Sequence, residues 1–512
     1  VRALALLFLL SEQPPARPVW TAPGANFLGA PTRDGRFLSC VDPSSGDLAL
    51  LNLSSGKLTR LTSNPPGSRE FAYFSAPSPN ASHIAYAWFN DAGFYDLRLV
   101  PADGGPPRVL FRNEESGFVQ PTSWTPDGAH ILTLFFRKDN ISQIALVDAS
   151  SGAVRILKSL NWVYPKKMDV SPGGKWIVYD SFAGDKPGPR DLYLLAADGS
   201  SERKLTDTPS EEVFPFFSPD GREVVFARSE AGSTSIHALE LSSGRERILY
   251  KDAGRVLPLG LTREGALVYG LRTGASDIRF SGLGALETRT PGLNLAPAWS
   301  RDGAKLAYLS LRGAENFGTP SRVIVLRDLA LRTEHDLETR MAHVESLRWS
   351  PDGESLLASG SDGLGRRGLF RIRVKDGLTR PVATEESAGF RGIPGDWNQA
   401  GEPVRAPSGA TAFAIGPQAA TANEIEVKSG ERTWPLAAVR WLVWAGDRLF
   451  ASHDGKAVEL TAGGVKPVPL PDYDGGPFSV SSDGKTFVYA AGRVRNEVWI
   501  RERLLAPLDR TR

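Results

Sequence analysis

Trp124-Thr125-Pro126-Asp127-Gly128, followed by a β-branched and aromatic run, is a phrase that this chain repeats along nearly its whole length. Close copies are Phe217-Ser218-Pro219-Asp220-Gly221, Trp299-Ser300-Arg301-Asp302-Gly303 and Trp349-Ser350-Pro351-Asp352-Gly353. Weaker ones are Thr32-Arg33-Asp34-Gly35, Ser171-Pro172-Gly173-Gly174, Thr262-Arg263-Glu264-Gly265 and Ser481-Ser482-Asp483-Gly484. In such a phrase Gly supplies a positive φ and Asp bonds its own backbone, so each copy marks a tight turn. With the turn Gly or its equivalent as a ruler, turns fall at 35, 81, 128, 174, 221, 265, 303, 353, 401, 446 and 484. That is eleven units 38 to 50 residues apart, the ninth (Trp397-Asn398-Gln399-Ala400-Gly401) and tenth (Trp444-Ala445-Gly446-Asp447) degenerate. A fixed period of this size is the mark of stacked supersecondary units.

Each unit has one internal order. The turn is followed by a strand such as Trp176-Ile177-Val178-Tyr179, then by a third strand such as Asp191-Leu192-Tyr193-Leu194-Leu195. A second tight turn comes next (Asp103-Gly104, Ser151-Gly152, Asp198-Gly199, Ser243-Gly244), and then a short edge strand ending in Leu, as in Arg203-Lys204-Leu205. Four short antiparallel strands per unit make the blade of a β-propeller, whose two flat faces are buried against neighbouring blades. Sustained helical periodicity is nearly absent. The expected fold class is therefore all-β, tandem β-propellers of four-stranded antiparallel blades. One ring of eleven would exceed the usual ~4–8 blades, so two rings are expected. The expected division is six blades over 24–289 and five or six over 290–512, after a leader or linker at 1–23.

The Trp/Phe-Ser-Pro-Asp-Gly turn, the Asp-Leu-Tyr-Leu-type third strand and the closing Arg-x-Leu together resemble the WD40-like (PD40) repeat of TolB-like propellers. The resemblance covers residues ~24–510 and departs from true WD40 proteins, because no Gly-His and Trp-Asp pairs mark the blades. It implies a bacterial repeat protein that works by binding other proteins outside the cytoplasm.

Composition narrows the classes. The 512 residues carry 60 basic and 58 acidic side chains, net +2, with no basic block, so no nucleic-acid partner is expected. The single cysteine, Cys40, excludes an intrachain disulfide framework, and its run Phe37-Leu38-Ser39-Cys40-Val41 reads as a buried strand. Val1–Leu10 is apolar but shorter than the ~20 residues a membrane helix needs. It fits a signal-peptide core or the tail of an anchor, so a periplasmic or extracytoplasmic place is expected, with a membrane tether at this end in the anchor reading.

Turns of the Asp-Gly type collect on one side of a propeller, so ligand contacts are sought on the other. The candidates there mix aromatic, polar and charged groups, as a peptide or glycan contact requires: Trp88, Asn90, Asp91, Tyr95, Arg137, Lys138, Asp139, Trp162, Tyr164, Asp185 and Lys186. The competing reading is that the Trp and Tyr residues pack between blades. Catalytic signatures fail in turn. Gly363-Leu364-Gly365-Arg366-Arg367-Gly368 matches G-x-G-x-x-G but lies between two strands, whereas a dinucleotide site opens a helix. No G-x-S-x-G elbow occurs, and Gly484-Lys485-Thr486 lacks the first Gly of a phosphate loop. The six histidines are scattered, and Asp472-Tyr473-Asp474-Gly475-Gly476 lacks the remaining ligands of a calcium loop.

The expectation is thus a binding module and not an enzyme, presenting a rigid face to a protein, peptide or glycan, with no catalytic residue, metal or cofactor. Two alternatives stand beside it. One is a propeller lyase or hydrolase with a metal site assembled across blades; the other is the sensor half of a membrane-bound kinase or regulator.

Overall fold

A computed structural model describes residues 15–505 apart from 23–28, 43–44, 65–69, 91–93, 140, 161–162, 183–188, 231–232, 253–254, 274–275, 283, 287, 289–293, 312–321, 340, 351, 363–366, 385–403, 406–410, 416–424, 430–431, 437–438, 482 and 493–494. Among these residues every regular element is a strand, and the strands form eleven antiparallel sheets, ten of four strands and one of three. The repeating phrase closes the first hairpin of most of these sheets, and its chemistry is now visible. The Thr125 hydroxyl donates to Asp127 Oδ1 at 2.6 Å, the Ala129 N–H donates to the same oxygen at 3.0 Å, and the His130 N–H donates to Thr125 Oγ1 at 3.0 Å. Ser218 with Asp220, Ser300 with Asp302, Ser350 with Asp352 and Ser481 with Asp483 repeat the first of these bonds at 2.5–2.6 Å. The hydroxyl bond first, then the backbone N–H, hold Asp127, Asp302, Asp352 and Asp483 below the usual carboxylate range. The hydroxyl recurs in every one of these turns, while Asn80 takes the place of the acid and Ala81 that of the glycine at the second, so the local bonding pattern persists where the rest of the unit varies.

Side chains alternate along each strand, so a blade buries both faces. In the strand His83–Phe89, Ile84, Tyr86 and Trp88 join Leu48 and Leu50 of the preceding sheet, while Ala85 and Ala87 join Val119, Ile131 and Ala145 of the next. The same interleaving continues through Leu132 with Met168 and Ile177, then Val178 and Leu192 with Phe217 and Val224. A larger cluster joins Val213 and Val225 to Val256 and Leu257, and Val268 and Tyr269 back to Leu38 and Leu51. Six sheets therefore follow one another in a closed circuit, and Cys40 lies inside its last junction, its thiol pushed up to about 12 by burial. Aromatic residues before the turns fasten neighbours: Trp124 Nε1 donates to the Ala76 carbonyl at 3.0 Å, and Trp349 Nε1 to the Ala298 carbonyl at 2.8 Å.

The remaining five sheets also interleave. Ile278 and Val488 pack with Leu306 and Tyr308, Ala307 and Ile324 with Val344 and Leu356, Trp434 and Leu436 with Leu442 and Leu449, and Trp441 and Phe450 with Phe478 and Tyr489.

The expected division at 289/290 does not match the sheets. The strand Arg495–Arg501, near the C-terminus, pairs on one side with Leu267–Thr273 and on the other with Ala16–Ala22. The strands Ser276–Phe280 and Gly284–Ala285 extend the hairpin formed by Tyr473–Val480 and Phe487–Gly492. The sixth unit of the sequence is thus shared between two sheets of different groups. Residues expected to be leader or linker include a paired strand at 16–22. A blade need not be continuous in sequence, because backbone pairing is indifferent to where along the chain a strand originates.

Two of the second tight turns, at Gly152 and Gly199, fit closely against the preceding sheet, whereas those at Gly104 and Gly244 have open space. Gly152 has φ 76°, and a Cβ placed on it would lie 2.1 Å from the Leu110 carbonyl oxygen on the preceding sheet's outer strand. Gly152→Ala should therefore lower stability by about 2–3 kcal/mol, read as a shift of the urea midpoint, because φ strain and a backbone clash add. An unchanged midpoint would show that the two sheets part easily at this corner.

Candidate functional site

The six-sheet circuit surrounds a narrow axis. Gly29, Ser75, Gln120, Lys167, Phe214 and Leu259, one from each sheet or its lead-in, face a common cavity of about 40 Å³. At ~10–15 Å³ of such space per water, it holds a few waters and no chain. A partner would meet the end of this axis and not thread it.

Two ends are available. The strand Phe71–Pro77 finishes at the Ser78–Asn80 turn, so its beginning lies at the opposite end, as does the beginning of Ser116–Trp124. Aromatic residues collect at that opposite end. Tyr73 touches Phe74 at 4.8 Å and Phe118 at 5.7 Å between ring centroids, and Phe74 touches Phe118 at 5.5 Å. Phe71 stacks on Phe89 at 5.1 Å, and Tyr95 meets Phe118 at 5.0 Å and Phe89 at 5.2 Å. Edge-to-face contacts of this kind hold rings rigidly. Tyr95 is buried, while Phe71, Tyr73, Phe74, Phe89 and Phe118 are only partly covered. The rigid patch is therefore accessible. A backbone irregularity between Ala72 and Ser75 breaks the alternation of the first strand and turns consecutive aromatic residues outward.

Beside the patch lies a buried ionic network. Lys166 Nζ donates to Glu211 at 2.7 Å, and Arg190 Nη1 donates to Asp180 at 3.0 Å and to the Tyr164 carbonyl at 3.0 Å. The Lys166 and Lys167 backbone N–H groups also donate to Asp180, at 3.2 and 3.1 Å. Lys167 Nζ donates to the Leu259 carbonyl across the axis. Burial lowers both ammonium groups to about 8, although Glu211 and Asp180 support Lys166. Burial pushes Asp180 up against the opposing pull of Arg190 and Lys166. For Glu211 the same burial is outweighed by Lys166 and Arg190, which hold it below its usual value.

The sequence candidates divide accordingly. Tyr95 joins the patch, Tyr164 contacts Phe136 at 6.1 Å, and Lys138 Nζ sits 4.8 Å from the Phe94 ring centre. Arg137 and Asp139 pair at 2.8 Å on the rim. Trp88 belongs elsewhere. It is 3% exposed, wedged between two sheets with the Arg98 guanidinium 4.8 Å over its ring, because its strand position faces the preceding blade. Asn90 is buried too, donating to Asp96 at 3.0 Å and accepting from the Phe94 N–H at 3.1 Å, so it shapes a loop. Asp91, Trp162, Asp185 and Lys186 lie outside the described residues. Phe71, Tyr73, Phe74 and Phe118 were not anticipated. Their signal is an aromatic run at the start of a first strand, Phe71-Ala72-Tyr73-Phe74, one strand length before its turn. Among the described residues no group of three or more His, Cys, Asp or Glu side chains is placed to hold a metal ion. No helix among them is long and apolar enough to cross a membrane.

Comparison with known proteins agrees with this architecture. Residues 80–281 match the family model described as the TolB beta propeller domain, PD40. An uncharacterized Agrobacterium fabrum protein is 28% identical over 232 residues, 45% of this chain and 67% of the relative. A TolB homolog of Chlorobium luteolum is 27% identical over 31% of this chain and 34% of its own length. The Tol-Pal system protein TolB of Bordetella pertussis is 25% identical over 32% and 36%. The chain thus spans about a third of the TolB homologs it matches. Among solved structures, a TolB-type protein from Agrobacterium tumefaciens shares 23% identity over 46% of this chain and 84% of that one, with a TM-score of 0.39. An oligogalacturonate lyase in complex with manganese shares 14% identity over 78% and 94%, with a TM-score of 0.32.

Proposed function

Because the chain is a TolB-like β-propeller repeat protein, we propose that it is a binding module whose aromatic axis end receives a segment of another protein. In this reading the six-sheet and five-sheet groups are two propellers joined by exchanged strands, and the first carries the binding face. The observation that supports it most is the rigid, partly uncovered set Phe71, Tyr73, Phe74, Phe89 and Phe118 at the end of an axis too narrow to enter. Rigid aromatic residues bury large area at little entropic cost, and they dominate the energetics of interfaces. The Lys138–Phe94 pair and the Arg137–Asp139 pair would form the polar rim. Binding is assigned to this face and turnover is not. A place outside the cytoplasm follows from the same reading, as does a partner of the Tol-Pal kind named for the Bordetella relative.

The test is capture from a bacterial periplasmic extract on the immobilised full chain, followed by affinity measurement with the captured protein. Tyr73→Ala combined with Phe118→Ala should weaken binding at least ~30-fold, as expected for two central anchors worth ~2 kcal/mol or more. Retained affinity with an intact fold would place the contact on another face. Binding of oligosaccharides alone, with no protein captured, would replace the protein by a glycan.

A further inference from the structure

Far from the axis, on the fifth sheet of the six, three side chains meet in an order that the binding reading does not use. Ser235 and His237 stand two apart on the strand Ser233–Glu240, so they share one face, and Glu246 stands on the adjoining outer strand Glu246–Asp252. Ser235 Oγ lies 2.7 Å from His237 Nε2, and His237 Nδ1 lies 2.5 Å from Glu246 Oε1. We propose that Ser235 is a nucleophilic serine, activated by His237 and Glu246, that is acylated by small activated esters and phosphonylated by their phosphonyl analogues. With an ester the Ser235 Oγ–acyl bond forms as the ester C–O bond breaks, and the serine proton passes through His237 Nε2 to the departing alcohol.

The proton positions follow from the partners. Nδ1 faces the Glu246 carboxylate, which only accepts, at 2.5 Å and the Arg228 guanidinium, which only donates, at 3.4 Å; the much shorter contact places the hydrogen on Nδ1. His237 is 5% exposed and stacked on Phe226 at 5.5 Å, an environment that disfavours a charged ring. Burial first, and then the nearby Arg228, keep its pKa below the ordinary histidine value. A neutral ring with hydrogen on Nδ1 leaves Nε2 bare, and a bare Nε2 at 2.7 Å accepts the Ser235 hydroxyl proton. This is the arrangement in which a base removes that proton as the oxygen attacks.

Glu246 is itself held in place. Arg228 Nη1 and Nη2 donate to its two oxygens at 2.5 and 2.8 Å, and Arg228 Nε donates to the buried Glu212 at 2.9 Å. Burial would raise the Glu246 pKa, but Arg228 outweighs it and keeps the carboxylate ionised. The competing acceptor for Ser235 is the Arg228 carbonyl at 3.5 Å, too long to hold the hydroxyl away from the ring. Ser235 keeps partial exposure while His237 is buried.

The test uses a fluorophosphonate probe on the full chain. The Ser235 Oγ–P bond forms as the P–F bond breaks, the serine proton passes to His237 Nε2, and fluoride leaves. Intact mass and peptide mapping should find one adduct per chain, on Ser235, absent from Ser235→Ala and from the urea-unfolded protein. His237→Gln should slow labelling about 100-fold, the lower range for removal of a general base. Glu246→Gln should slow it at least 10-fold while the melting transition persists. Absence of an adduct in the native protein, labelling spread over many serines, or a Ser235 rate unchanged by His237→Gln would each overturn the proposal. Labelling at Ser235 and capture at the aromatic face read different residues, so either can fail without the other.

Discussion

Residues 1–289 expressed alone should give no cooperative unfolding transition, although they contain six of the repeated turns. The missing strand Arg495–Arg501 is an inner member of its sheet, bonded to Leu267–Thr273 and to Ala16–Ala22. Val498, Ile500 and Leu505 belong to the core cluster that also holds Leu38, Leu51, Val268 and Tyr269. Burial of three aliphatic side chains at ~1.5–3 kcal/mol each gives about 5–9 kcal/mol, comparable to the ~5–15 kcal/mol that holds a whole domain together. The truncation also leaves Leu267–Thr273 with an unpaired edge and Ala16–Ala22 with no neighbour, which invites aggregation. The complementary chain separates this cause from generic truncation damage. Residues 15–273 joined by a two- to four-residue Gly-containing turn to 495–505 should fold on their own, because Thr273 and Arg495 are already an antiparallel pair. A cooperative melt from 1–289, with 15–273/495–505 no better, would mean that the exchanged strand does not close the circuit.

The same exchange marks what could and could not be read from residues. Ser/Thr-x-Asp-Gly was legible because its four groups satisfy one another locally, with no help from distant chain. Blade stacking was legible because strands such as His83–Phe89 are apolar on both faces. That double burial hid the site. Trp88 and Phe89 are neighbours in sequence, yet the first lies between sheets and the second belongs to the open aromatic patch. Nothing in their types distinguishes them. Only the break in pairing between Ala72 and Ser75 sets Tyr73 and Phe74 together beside Phe71, and irregular pairing leaves no fixed composition. The division between groups was misplaced for a related reason: Ser276-Asp277-Ile278-Arg279-Phe280 has an ordinary third-strand composition and does not declare which hairpin it extends.

Loss of the Arg190 guanidinium should be among the costliest single changes in the first six sheets. Its side chain is 5% exposed and its partner Asp180 is wholly buried. Arg190→Met keeps the volume but leaves the Asp180 carboxylate with two backbone N–H groups and the more distant Lys166, and it withdraws the donor to the Tyr164 carbonyl. Breaking a buried pair from one side typically costs about 3–5 kcal/mol, because the remaining charge is uncompensated. The pH dependence carries a definite sign. Burial already raises Asp180 in the folded state, and without Arg190 it must rise further. An acid whose folded pKa lies above its unfolded value destabilises the fold at high pH and ceases to do so as pH falls through the folded pKa. The deficit of Arg190→Met relative to the native protein should therefore be largest near neutral pH and narrow in mild acid. Adding Asp180→Asn should return part of the loss at pH 7, since the orphaned charge disappears while the amide oxygen still accepts from one of the two backbone donors. Urea midpoints of the single and double variants at pH 7 and pH 5 decide the matter. A cost below ~1 kcal/mol, or a gap that widens toward pH 5, would mean that water reaches Asp180 and that the network is not sealed from solvent.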